Sequence, residues 1–108
     1  MCGICGFTGF SDAGLLGSMV DALRHRGPDD RGTWSDGRVS LGHARLSIID
    51  LSPRGRQPLS NEEGSIWITC NGEVYNYRRL REDLSRHTFS SATDTEVMVH
   101  AYEEYGMS

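Results

Sequence analysis

The constraint that narrows this chain most is a change of hydrophobic period within its first 50 residues. CGICGFTGF, residues 2–10, carries glycine at positions 3, 6 and 9, which leaves room for close backbone approach and predicts a first strand. Directly afterwards Leu15, Leu16, Met19, Val20 and Leu23 recur at helical spacing, which predicts a helix over residues 12–24 capped by Ser11. HRGPDDRG ends that helix, because Pro28 cannot continue it and its glycines and aspartates favour turns. GTWS and RVSLGHARLSI then return to strand character. A domain of 108 residues buries only about 60–70% of its unfolded surface, so it cannot waste apolar residues.

The second half repeats the alternation. LSPRGRQPLSNEEGS reads as a polar loop, and IWITC as a buried strand. Tyr77, Leu80 and Leu84 line one side of a second helix, with Arg78–Glu82 and Arg79–Asp83 as i,i+4 pairs on its wet side. HTFSS predicts a short strand. TDTE predicts a capping box, with Thr93 as N-cap and Glu96 reaching back. Val97, Met98, Ala101, Tyr102 and Tyr105 are expected to form the apolar face of the last helix, and Gly106 its stop.

Charge and composition exclude several classes. The net charge is −4 with no basic run, which argues against nucleic acid or an anionic membrane as partner. All 11 basic residues are arginine, so Schiff-base or lysine-base chemistry within these residues is excluded. No apolar run reaches the roughly 18 residues of a membrane span, and no secretory signal is recognisable. Three cysteines without such a signal predict a reduced, cytoplasmic protein with no disulfide framework.

Cys2 supports two readings. Free cysteine is usually a small buried hydrophobe. Removal of Met1, however, would place a thiol and an α-amino group on one residue, and an amine with a pKa of about 7.7–8.0 can serve that thiol as base. Cys2 and Cys5 also form C-x-x-C, which permits a metal or redox site if Cys70, His25 or His43 joins them. NG at 71–72 is an ordinary tight turn or a pair of uncharged donors for an oxyanion. Arg45 is a solvated strand-end arginine or a two-pronged carboxylate clamp. Asp94 suits the first turn of a helix whatever its function.

MCGICGF, HRGPDDRG, LGHARLSIIDLSPRGRQPLSN, NGEVYNYRRLREDL and SSATDTEV occur in that order. Together they make the chain resemble the N-terminal glutaminase domain of glutamine-hydrolysing asparagine synthetases, over nearly its whole length. The resemblance implies an α+β fold of the N-terminal-nucleophile hydrolase type: a four-layer α/β/β/α sandwich of antiparallel sheets, present here as a partial type 2 glutamine amidotransferase domain over residues 1–108. It implies Cys2 as nucleophile and α-amino base, and Asn71 and Gly72 as oxyanion hole. Arg45 would hold the glutamine α-carboxylate, with Glu73 and Asp94 near its α-ammonium. The segment Leu46, Ser47, Ile48 and Ile49 would wrap L-glutamine. His43 is expected to be structural rather than a base.

The same resemblance implies no metal and no cofactor for glutamine hydrolysis. ATP and magnesium would belong to an absent synthetase domain, which would amidate aspartate or a related carboxylate. Missing sheet partners would expose strand edges and promote self-association. The rival from another class is an inactive glutamine-binding or partner-binding module.

Overall fold

In the computed structural model, which describes residues 2–46 and 53–106, β1 (Gly3–Thr8) is followed by α1 (Ala13–Ala22), β2 (Asp30–Ser35) and β3 (Val39–Arg45). The three strands form an antiparallel sheet in the order β1-β3-β2. A 3-10 turn at Pro53–Gly55 leads to β4 (Leu59–Ser60) and β5 (Trp67–Ile68), an antiparallel pair. Helices α2 (Tyr77–Asp83) and α3 (Glu96–Tyr105) complete the described chain. The architecture is α+β with antiparallel sheets. No helix among the described residues is long and apolar enough to cross a membrane.

Register decides what each strand residue faces. Gly3 pairs with Ala44 and Cys5 with Gly42, while Arg31 pairs with Ala44, so these residues share one face. Helix α1 covers that face. Its Leu16 and Val20 are buried over Gly42 beside the Cys5 sulfur, and Arg31 ion-pairs with Asp21 of the helix. The other face carries Trp34, His43 and Arg45. Trp34 stacks on Trp67 at 4.7 Å, and the Thr69 hydroxyl donates to the Gly42 carbonyl at 3.2 Å. The chain from β4 to residue 70 therefore packs on the sheet opposite α1. Strand β3, covered on both sides, supplies buried Ser40, His43, Ala44 and Arg45.

Gly27 explains the HRGPDD turn. A Cβ there would lie 2.2 Å from the Ala44 carbonyl oxygen, so only glycine lets the turn rest directly on the β3 backbone.

Several local expectations are corrected. Asp12, not Ser11, caps α1: its extended backbone lets its carboxylate accept from the Leu15 N–H at 2.9 Å. Leu15 is exposed on the outer side of α1. Only Trp67 and Ile68 of IWITC form a strand, and they are half-buried because their partner β4 is equally short. HTFSS is not a strand. The N–H groups of Ser90 and Ser91 donate to the Glu96 carboxylate at 2.8 Å each, so they are spent on the start of α3 rather than on a ladder.

The same carboxylate replaces the expected capping box. Thr95 occupies the cap position, the Thr93 N–H instead donates to Ser91 Oγ and the two hydroxyls lie 2.9 Å apart, and α3 begins at Glu96. The buried face of α3 is Glu96, Val97, Val99 and His100, while Met98, Tyr102 and Tyr105 are exposed. A buried Glu96–His100 pair at 3.0 Å turns the helix this way, since the Glu96 carboxylate finds its donors in the 90–91 segment and in His100 Nε2. Gly106 does end the helix, at φ 72°. Leu84, at the cap just past α2, is buried as expected, while no residue within α2 is fully buried. No ion pair joins Arg78 to Glu82 or Arg79 to Asp83 among the described residues; Arg81 donates to the Ser91 carbonyl and lies over the Phe89 ring.

Candidate active site

Five separated segments meet at the open end of the sheet. The start of β1 brings Cys2 beside the end of β3, where the Leu46 N–H donates to the Cys2 sulfur at 3.3 Å. The Cys2 thiol in turn lies 3.6 Å from the Leu46 carbonyl, and Arg26 Nε donates to the Cys2 carbonyl at 3.1 Å. One cavity is lined by Cys2, His43, Arg45, Leu46, Gly55 and Gln57, and on its other side by Cys70, Gly72, Glu73 and residues 93–95.

Of the residues singled out from sequence, Cys2, Arg45, Leu46, Gly72, Glu73 and Asp94 come together in that wall. Asn71 is exposed in the adjoining turn and does not line the cavity. Ser47, Ile48 and Ile49 lie outside the described residues, as does Met1.

Arg45 is buried at the last position of β3, and its guanidinium lies against Gly55. A Cβ at Gly55 would sit 2.3 Å from Arg45 Nη2 and 2.9 Å from Cζ. Glycine at 55 is thus a condition for the guanidinium's position. Asp94 is buried, and its carboxylate accepts from the Val74 N–H at 2.7 Å, which ties the 71–74 turn to the start of α3. Gln57 Oε1 accepts from the Cys70 N–H at 2.7 Å and fixes the chain leading into that turn. The cavity therefore holds one guanidinium and two carboxylates a short distance from a thiol. Such a charge pattern suits a zwitterionic amino acid.

His43 is fully buried, and its Nε2 donates to the Cys70 carbonyl at 3.1 Å. Burial pushes its imidazole below the ordinary value. The Cys70 carbonyl opposes this, the Arg45 charge adds to it, and Asp30 opposes it. A neutral imidazole tied to a backbone carbonyl matches the structural role expected of His43.

Of the other two thiols, Cys5 is set apart from Cys2, whereas Cys70 lines the same cavity. Burial pushes the Cys5 thiol up, and Cys5 faces α1, on the side of the sheet away from the cavity. Burial, then Asp94 and Cys2, push the Cys70 thiol up. A spacing of three along an extended chain puts Cys2 and Cys5 on opposite faces, so the C-x-x-C pair does not converge on one ion. All three cysteines are free. Gly55, Gln57, Thr93 and Thr95 are site residues that sequence reasoning missed.

Comparison with known proteins gives a consistent picture. A family profile described as "Glutamine amidotransferase domain" matches residues 1–108. An asparagine synthetase (glutamine-hydrolyzing) 2 of Bacillus subtilis is 47% identical over 93 residues, covering 86% of this chain and 12% of that protein. An asparagine synthetase (glutamine-hydrolyzing) 1 of Arabidopsis thaliana is 44% identical over 112 residues, covering 99% of this chain and 19% of the relative. A Gibberella zeae protein named amidase chry2 is 47% identical over 96 residues, covering 86% and 14%. The chain thus spans a fifth or less of the length of these relatives.

Proposed function

Because this chain belongs to the glutamine amidotransferase family, we propose that it hydrolyses L-glutamine to glutamate and ammonia through a thioester on Cys2. Removal of Met1 frees the Cys2 α-amine. That amine takes the thiol proton as sulfur bonds to the side-chain carbonyl carbon of glutamine. The Gly72 N–H, and the Asn71 amide once swung in from its exposed turn, donate to the oxyanion, a kind of contact whose loss typically costs about 10²–10³ in rate. The C–N bond breaks, and the protonated amine returns its proton to the departing ammonia. Water then cleaves the thioester. Arg45 grips the α-carboxylate of the substrate, Glu73 and Asp94 receive its α-ammonium, and residues 46–49 wrap it. No metal or cofactor is needed for this reaction.

The observation that carries the reading is the convergence of Cys2, Arg45, Gly72, Glu73 and Asp94 on one cavity from distant parts of the chain. The names of the relatives support a wider role. The ammonia would pass to an ATP- and magnesium-dependent synthetase domain that amidates aspartate or a related carboxylate. The four-layer α/β/β/α sandwich belongs to the same reading, supported by α1 on one face of the three-stranded sheet and the β4–β5 segment on the other. So does a reduced, cytoplasmic setting, which suits three free cysteines. The outer edges of β1 and β2 carry no paired strand among the described residues, which supports self-association there.

Titration calorimetry with L-glutamine tests the binding half. Arg45→Ala is expected to weaken binding by about 1.5–3 kcal/mol, roughly 10–150-fold, as a charged hydrogen bond is lost. Arg45→Lys should lose less, since a point charge replaces the fork. Gly55→Ala should also weaken binding, because its methyl displaces the guanidinium. Unchanged affinity in all three would remove Arg45 from the site.

A further inference from the structure

We propose that Glu62, His87, His100 and Glu103 bind one divalent transition-metal ion of the zinc class, which fastens α3 to the β4–β5 turn and to the segment after α2. This site is separate from the glutamine cavity, and none of its four residues lines that cavity.

The argument starts from His100, which is fully buried. Its Nε2 lies 3.0 Å from a Glu96 oxygen. Glu96 is itself buried and accepts from the Ser90 and Ser91 N–H groups, so it acts as a carboxylate and His100 Nε2 carries the proton. The remaining nitrogen, Nδ1, is buried and makes no hydrogen bond. Nevertheless it faces two carboxylates, with Glu62 Oε1 at 3.2 Å and Glu103 Oε1 at 3.6 Å. A bare lone pair facing two anionic oxygens is repulsive, so the position calls for a cation, either a proton on Nδ1 or a metal ion shared by the three groups.

His87 repeats the arrangement. Its Nε2 is 3.2 Å from Glu104 Oε2, while Nδ1 is 2.9 Å from Glu103 Oε1 and 3.4 Å from Glu62 Oε2. All four prospective ligand atoms lie within 4.8 Å of one another. Tetrahedral zinc with bonds of about 2.0–2.1 Å requires ligand atoms roughly 3.3 Å apart. With Glu62 offering Oε1, the pairs His100 Nδ1–Glu62 Oε1 at 3.2 Å, His100 Nδ1–Glu103 Oε1 at 3.6 Å and His87 Nδ1–Glu103 Oε1 at 2.9 Å bracket that value.

The surroundings are those of a metal site. Glu96 and Glu104 hold the outer nitrogens of the two imidazoles, in the carboxylate–histidine–metal pattern that fixes tautomer and ring orientation. Asn61 Nδ2 donates to Glu103 Oε2 at 3.1 Å, and the Thr88 N–H to Glu62 Oε2 at 3.2 Å. Each ligating carboxylate is thereby oriented from behind. Two imidazoles with two carboxylates favour zinc or cobalt over calcium or magnesium, which prefer all-oxygen shells. Glu62 and Glu103 are partly exposed, which leaves an entry path.

The test is titration of the chelator-treated full chain with Co²⁺, followed by displacement with Zn²⁺. One Co²⁺ per chain is expected, with the visible bands of a four-coordinate ion and no thiolate charge-transfer band. Zn²⁺ alone should raise the thermal midpoint. Glu103→Gln and His87→Asn, both at partly exposed positions, should each weaken Co²⁺ binding at least about tenfold without unfolding the chain, and should abolish the Zn²⁺-dependent rise. A thiolate charge-transfer band would place the ion on cysteine instead. That result, absence of binding, or affinity unchanged in both variants would each overturn the proposal.

Discussion

Cys2→Ala is expected to abolish glutamate release while glutamine binding stays measurable. On the proposed mechanism the thiol forms and breaks the covalent bond, whereas Arg45, Glu73 and Asp94, which line the same cavity, hold the substrate. Loss of an essential nucleophile removes several orders of magnitude of rate, far more than any positioning contact. Packing around the site should survive, since the Cys2 side chain is only half-buried and its polar partner is the Leu46 backbone. Calorimetry and a glutamate-release assay on the same sample separate the two effects. An equal loss of binding and turnover would make Cys2 a packing residue.

A chain that keeps Met1 is expected to be nearly inactive, and treatment with methionine aminopeptidase should switch it on. With Met1 attached, the Cys2 nitrogen is a peptide amide, which cannot accept the thiol proton near neutral pH. The other nitrogen base lining the cavity, His43, is a poor substitute: burial disfavours the imidazolium that taking up the thiol proton would create, and its Nε2 is bound to the Cys70 carbonyl. The intact mass fixes which form is present before each assay. Turnover by a sample proven to carry Met1 would overturn the assignment of the α-amine as base.

How far the sequence could be read depended on the range of the contacts involved. The strand GHAR announces its own geometry, because His43 and Arg45 are two apart and must share a face. Cys2, Gly72 and Asp94 became legible as site residues only through the resemblance of their motifs to a family, because a thiol, a tight-turn glycine and a helix-start carboxylate each also have an ordinary structural reading. Gly55 was not legible: its meaning lies in a guanidinium ten residues earlier in the chain, met only across the fold. Gln57 is similar, since its amide matters through the Cys70 N–H.

Helix α3 misled for a different reason. Its tyrosines and Met98 make the better apolar stripe, yet Glu96 and His100 are buried because together they satisfy one another and the 90–91 backbone. Polar groups that are satisfied only in the folded state leave no trace in hydrophobic periodicity. The same pair, with Glu62, His87 and Glu103, builds the proposed metal site from residues scattered over three segments.

The most direct test of the central claim is acid-quenched mass spectrometry of the mature chain, beginning at Cys2, mixed with L-glutamine. The account predicts a γ-glutamyl thioester on the N-terminal peptide, at Cys2, formed before steady release of glutamate and absent in Cys2→Ala. A glutamyl adduct on Cys5 or Cys70 would contradict it.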